Sequence, residues 1–285
     1  MSAPIPFDAT VAILIHVFLA CAMFCIGASA TLKDMAAWLS SGRRRVHVLL
    51  ANLVVPPVVA LVLIALLPVG PAAATVLLLL AFAPGGINAV QFSTKASGQL
   101  PAAGALLIVL SLLGLVTAPF AALWVLPETA RVALPVGSLL IRLLGFMALP
   151  LTLGMVTRQR APEIAARLYK PVMLVSTVAF IASVVLSLSQ RQDALAAFSP
   201  ATFAAMLIFI ASLMGVGLWL GGPDAGEAQV LAVTTNLRNV GLVYVLVEGC
   251  CSTDLHATAV LAFMALMVPS NLVLTIVCGV LRKRR

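Results

Sequence analysis

The chain has 285 residues, of which 62% are apolar and only 9% charged, and its mean hydropathy is +1.16. Soluble domains carry about 25% charged residues, so a soluble enzyme is excluded and the chain reads as an all-α polytopic membrane protein. The net charge of +8 does not point to nucleic acid, because the basic residues fall in short loops between apolar runs, the pattern that orients membrane proteins.

Residues 10–30 are long enough to cross a bilayer. They end in Ala28-Ser29-Ala30, which resembles a signal-peptidase site, but the apolar run is long for a signal peptide and its only early charge is Asp8. A first membrane helix is therefore predicted. Lys33, Arg43, Arg44 and Arg45 form a basic loop, and a second helix over 46–67 carries Asn52 and Pro56-Pro57. The third element, 72–97, breaks at Pro84-Gly85-Gly86 and has a polar second half reaching Lys95. Its first twelve residues rise only about 18 Å, too little for ~30 Å of hydrocarbon, so two half-helices are predicted. Helices follow over 101–126, with Ser111, and over 132–156, with Arg142. A basic loop over 158–170 leads to helices over 171–189 and 201–220. An acidic turn precedes the eighth element, 228–249, whose apolar run is broken by Thr234-Thr235-Asn236-Leu237-Arg238-Asn239-Val240-Gly241. The ninth, 255–281, ends in four basic residues.

With the N-terminus outside, twelve basic residues fall on one side of this nine-element layout and two, Arg131 and Arg191, on the other. The C-terminus is thereby predicted to be cytoplasmic. The abundance of Ala, Leu, Val and Arg suggests a bacterial inner membrane as the plasma membrane concerned. Cys21, Cys25, Cys250, Cys251 and Cys278 give no disulfide framework, and His16, His47 and His256 have no metal-ligand spacing; no cofactor is expected.

The third and eighth elements cross in opposite directions and both break in the middle, which is the pattern of inverted repeats with a binding site near the midplane. The first repeat spans 1–127 and the inverted second 128–285. Each break must be buried in protein or line a watered cavity, and a mid-membrane arginine costs at least ~2.5–3.5 kcal/mol on the insertion scale. Arg238 therefore either serves the function or bridges the core by satisfying carbonyls freed at the break. Asn88, Gln91, Asn236 and Asn239 flank the breaks and suit freed backbone or substrate equally. Arg142 has no predicted carboxylate partner at its depth, Lys95 either snorkels or binds, and Glu248 is expected at the outer interface.

At the two breaks the chain resembles the bile acid:sodium symporter family, in Pro84-Gly85-Gly86 and in Arg238-Asn239-Val240-Gly241-Leu242. The end of the first helix, Met23-Phe24-Cys25-Ile26-Gly27 through Thr31-Leu32-Lys33, is similar as well. The resemblance implies a core domain from elements 2–4 and 7–9, a panel domain from elements 1, 5 and 6, and an elevator or rocking motion between them. It implies ion-site equivalents at Asn52, Ser111, Thr234 and Arg238, where Thr234 replaces a sodium-coordinating glutamate and Arg238 a glutamine. The family's Ser-Asn pair falls on Ala89 and Val90. Loss of the carboxylate beside a new guanidinium argues against at least one sodium site, although Asn88, Gln91 and Asn236 offer substitute oxygens. Na+ and H+ are left as alternative coupling ions.

The expected function is a secondary transporter of a small organic anion, with half-helix N-termini and Arg238 supplying positive potential. Partners are then the substrate and the bilayer, with no nucleic acid, and the protein is a monomer or homodimer. The alternative is a non-transporting membrane sensor or scaffold on the same fold. An embedded enzyme ranks third, for want of a nucleophile–base pair.

Overall fold

The computed structural model describes residues 9–86, 100–126, 136–250 and 254–283. Every regular element among them is helical. Eight helical segments are long and apolar enough to cross a membrane, and an eleven-residue apolar helix, Pro71–Ala81, adds a shorter one. We label α1 Ala9–Ser29, α2 Leu32–Trp38, α3 Gly42–Leu66, α4 Pro71–Ala81, α5 Leu100–Val125 and α6 Val136 to Arg160. They continue with α7 Pro162–Gln190, α8 Pro200–Leu220, α9 Ala225–Asn236, α10 Val240–Cys250 and α11 Asp254–Lys283.

Local chemistry accounts for several boundaries. Thr31 and Asp34 form a reciprocal capping box that starts α2, satisfying amide groups that a helix start leaves unpaired. Hydrogen bonds from the Thr31 amide and hydroxyl hold the Asp34 carboxyl below its ordinary range. Inside α3, residues Leu50–Val54 widen into a π turn just ahead of Pro56 and Pro57. Proline has no N–H to return to the carbonyl four residues back, so the carbonyl of Asn52 is released from the helix ladder. The same device recurs in α6, where the π turn Leu144–Ala148 precedes Pro150.

The predicted basic loop over 158–170 is corrected. Only Ala161 interrupts the helices there, and α7 runs unbroken from Pro162 through Pro171 to Gln190. Pro162 sits in the first turn, where its missing N–H is harmless. The carbonyl that Pro171 fails to serve belongs to Arg167, which is exposed, so water can satisfy it.

The helices pack in two groups. In one, α1 lies along α6 and α7. Gly27 and Gly154 let the α1 and α6 backbones touch, since a Cβ on Gly27 would strike the Leu151 carbonyl and one on Gly154 the Phe24 carbonyl. In the other, α3, α4, α5, α8 and α11 surround α9 and α10. Along the α9–α10 segment every residue from Ala228 to Val247 is buried, whereas in no other span is more than 61% of the most apolar stretch buried. It is the element that lipid does not touch.

Candidate functional site

The two breaks meet. The Gly86 amide donates to the Leu237 carbonyl and the Asn239 amide to the Ala83 carbonyl, both at 2.8 Å. Pairing 83 with 239 and 86 with 237 makes the crossing antiparallel. Gly85 has φ of +90°, a conformation open to glycine at little cost, and a Cβ there would collide with Ser111 of α5. A Cβ on Gly86 would enter the Leu237 carbonyl, so only glycine permits this approach. Pro84 completes the turn and fits its carbonyl against Gly114.

Among the described residues, the C-terminal ends of α4 and α9 and the N-terminal end of α10 converge on this crossing. Arg238, fully buried, faces the C-terminal pair. Its Nε donates to the Leu80 carbonyl at 2.9 Å and its Nη2 to Ala81 at 2.6 Å, both in the last turn of α4. Its Nη1 donates to the Thr235 carbonyl in the last turn of α9 at 3.2 Å and to Asn52 Oδ1 at 3.3 Å. Nη2 also reaches the Asn52 carbonyl at 3.1 Å. A guanidinium has five N–H groups, and all five are used.

The acceptors are those the chain leaves over. Asn52 lost its helical donor to Pro56; Ala81 and Thr235 lost theirs where α4 and α9 stop. A helix C-terminus carries about half a negative charge, so two of them offset one guanidinium. No carboxylate pairs with Arg238 among the described residues.

A model of the sodium bile acid symporter family matches residues 16–198 of this chain. The chain belongs to that family. No curated protein matches it at a significant level. The family match takes in the first break but stops before α9 and α10, so the segment that carries Thr234 and Arg238 lies beyond it.

The remaining site residues divide by what their side chains do. Thr234 turns its hydroxyl back onto the Val230 and Leu231 carbonyls of its own helix. Asn52 Nδ2 donates to Thr235 Oγ1 at 3.2 Å, so this amide both supports Arg238 and ties α3 to α9. Asn239 caps α10, accepting from the Leu242 amide at 3.0 Å, while its Nδ2 is buried without a hydrogen-bond partner. Ser111 Oγ and Asn236 Oδ1 are likewise buried and unbonded. Gly241 lies inside α10, where its missing side chain admits Leu19 and Phe18 of α1. Asn88, Gln91, Ala89, Val90 and Lys95 lie outside the described residues.

Two features escaped the sequence reading. Asn236 Nδ2 donates to Asn271 Oδ1 of α11 at 2.9 Å, and the fully buried Asn271 thereby joins the crossing. Its signal was a lone amide after Pro269-Ser270 in an apolar helix. The expectation that Arg142 has no carboxylate partner is corrected: its Nη1 lies 3.0 Å from Glu248 Oε2. Glu248 ends α10 and Arg142 lies in the first part of α6, so the pair spans the two helix groups.

Proposed function

We propose that this protein is a secondary transporter of a small organic anion, working by alternating access around the antiparallel crossing, with Arg238 standing in for a coupling sodium ion. The observation that carries this reading is the complete use of the five guanidinium N–H groups on carbonyl-type oxygens at the ends of α4 and α9 and at Asn52 in the α3 π turn. Such oxygens are what a bound sodium would need. A fixed cation in their midst supplies the same neutralisation without exchange. With no donor to spare, Arg238 holds the crossing together and does not clasp the substrate. Anion recognition then falls to the α10 N-terminus, whose dipole favours negative charge, with the unbonded Asn239 Nδ2 beside it; Asn88 and Gln91, outside the described residues, are further candidates from the sequence. The group of α1, α6 and α7 serves as panel and the group around α9 and α10 as core, the first repeat ending near 127.

Purified protein in proteoliposomes, offered small carboxylates and sulfonates in sodium and in choline medium, tests this. Uptake is expected at similar rates in both. Strong sodium stimulation would overturn the substitution by Arg238, and failure to move any anion would favour the scaffold reading.

A further inference from the structure

At the end of the bundle away from the basic loops, three ionisable side chains meet across the seam between the helix groups. Glu248 comes from α10, Arg142 from α6 and His16 from α1. His16 Nε2 lies 3.7 Å from Glu248 Oε2, and the imidazole and carboxylate are 14% and 15% exposed. His16 Nδ1 lies 2.6 Å from the Ala12 carbonyl. A carbonyl only accepts, so Nδ1 carries the hydrogen. In the neutral ring Nε2 then presents a lone pair, directed at a carboxylate oxygen that also only accepts. Both atoms are buried without a hydrogen-bond partner; Arg142 approaches Oε2 as an ion pair without hydrogen-bond alignment. Phe146, with its ring centroid 4.3 Å from that of His16, closes the imidazole's flank. The arrangement is short of one hydrogen.

We propose that His16 and Glu248 form a proton-binding site, and that the bound proton latches the α1–α6–α7 group to the core. The proton would come from water on that face, settle on Nε2 and be shared with Oε2, leaving an imidazolium and the Arg142 guanidinium on either side of one carboxylate. Of the packed elements, α4 and α5 carry no ionisable side chain, α10 carries Tyr244 besides Glu248, α11 carries Asp254, His256, Arg282 and Lys283, and the chain after α7 carries Arg191 and Asp193; Tyr244, His256 and Arg191 each have an interaction of their own. The seam is also where the two groups must part if the core moves against the panel. Proton binding stands on this geometry alone, whereas its effect on uptake rests on the transport reading above.

Spin labels at Leu140→Cys on α6 and Trp124→Cys on α5, both exposed positions, report the seam in a cysteine-free background in lipid nanodiscs. Lowering the pH from about 8 to about 6, the range in which histidine changes charge, should enrich one short, narrow distance population several-fold. His16→Gln and Glu248→Gln should each abolish the response. A distance distribution that ignores pH in the parent, or that responds equally in His16→Gln, would overturn the latch. In proteoliposomes the same acidification outside should slow uptake several-fold in the parent and leave His16→Gln unaffected. A pH-dependent seam in a protein that moves no anion supports the proton site and refutes transport; steady uptake with a seam indifferent to pH does the reverse.

Discussion

Replacing Arg238 by glutamine tests whether a fixed cation takes the place of an exchangeable one. Glutamine offers two N–H groups where the guanidinium offered five. Of the oxygens Arg238 serves, Leu80 keeps a bond from the Ala83 amide. The Ala81, Thr235 and Asn52 carbonyls and Asn52 Oδ1 are left to share two donors. At least two buried acceptors are then orphaned, at ~1–3 kcal/mol each, or roughly 2–6 kcal/mol together. Loss of the guanidinium's own desolvation cost opposes this, but the two helix C-termini, about half a negative charge each, are left facing one another. Sodium can fill that gap. At a hundredfold excess over its dissociation constant it would restore ~2.7 kcal/mol, about the lower end of the loss. Adding Thr234→Glu supplies the anionic oxygen that sodium sites favour, once the side chain turns from its own helix toward the crossing. Melting temperatures in detergent, in sodium against choline chloride, provide the assay. The parent should be indifferent to sodium, Arg238→Gln should melt lower and recover partly in sodium, and the double variant should recover most. Variants that melt with the parent in both salts would refute the reasoning.

Other expectations can be checked separately. Gly86→Leu should abolish uptake while leaving an inserted protein, because the side chain enters the Leu237 carbonyl and parts the two breaks; normal uptake would show that the crossing tolerates separation. The Asp34 carboxyl is held low by Thr31, so its contribution is present above the ordinary aspartate value of ~3.9 and is lost as pH falls through the lower folded value. Asp34→Asn should therefore melt below the parent between about pH 5 and pH 8, and the two curves should converge in stronger acid; a constant gap would mean the carboxylate is not the cap. Reporter fusions after Ala72 and after Arg285 should fall on opposite sides of the membrane, as the charge asymmetry requires, and agreement between them would sink the nine-element layout.

The places where the chain departs from a plain apolar helix were legible because they violate local rules. Pro84-Gly85-Gly86 cannot continue a helix, and Arg238 within an apolar run demands a reason. Length and hydropathy likewise identified the long spans. The direction in which Arg238 points was not legible. The sequence left Arg238 either serving the function or bridging the core through carbonyls freed at the break; its partners are the C-terminal carbonyls of α4 and α9 and the oxygen freed by Pro56, and which carbonyls it meets is chosen by tertiary packing. Arg142 and Glu248 are distant in the chain, each unremarkable alone, and nothing local announces their pairing. The missed start of α7 has a different cause. Arg167 and Lys170 looked like loop charges, yet on an exposed helical face they sit in solvent just as well.

The enclosure of α9 and α10 bears on how the protein is made. A segment that lipid never contacts has no stable resting place in the bilayer until its neighbours surround it, and the oxygens that neutralise Arg238 belong largely to α3 and α4, which are synthesised long before it. The order of the chain thus supplies the receptor before the guest. Membrane insertion of 225–249 should accordingly depend on the earlier helices, and a deletion of residues 42–86 that left this segment normally inserted would contradict that dependence.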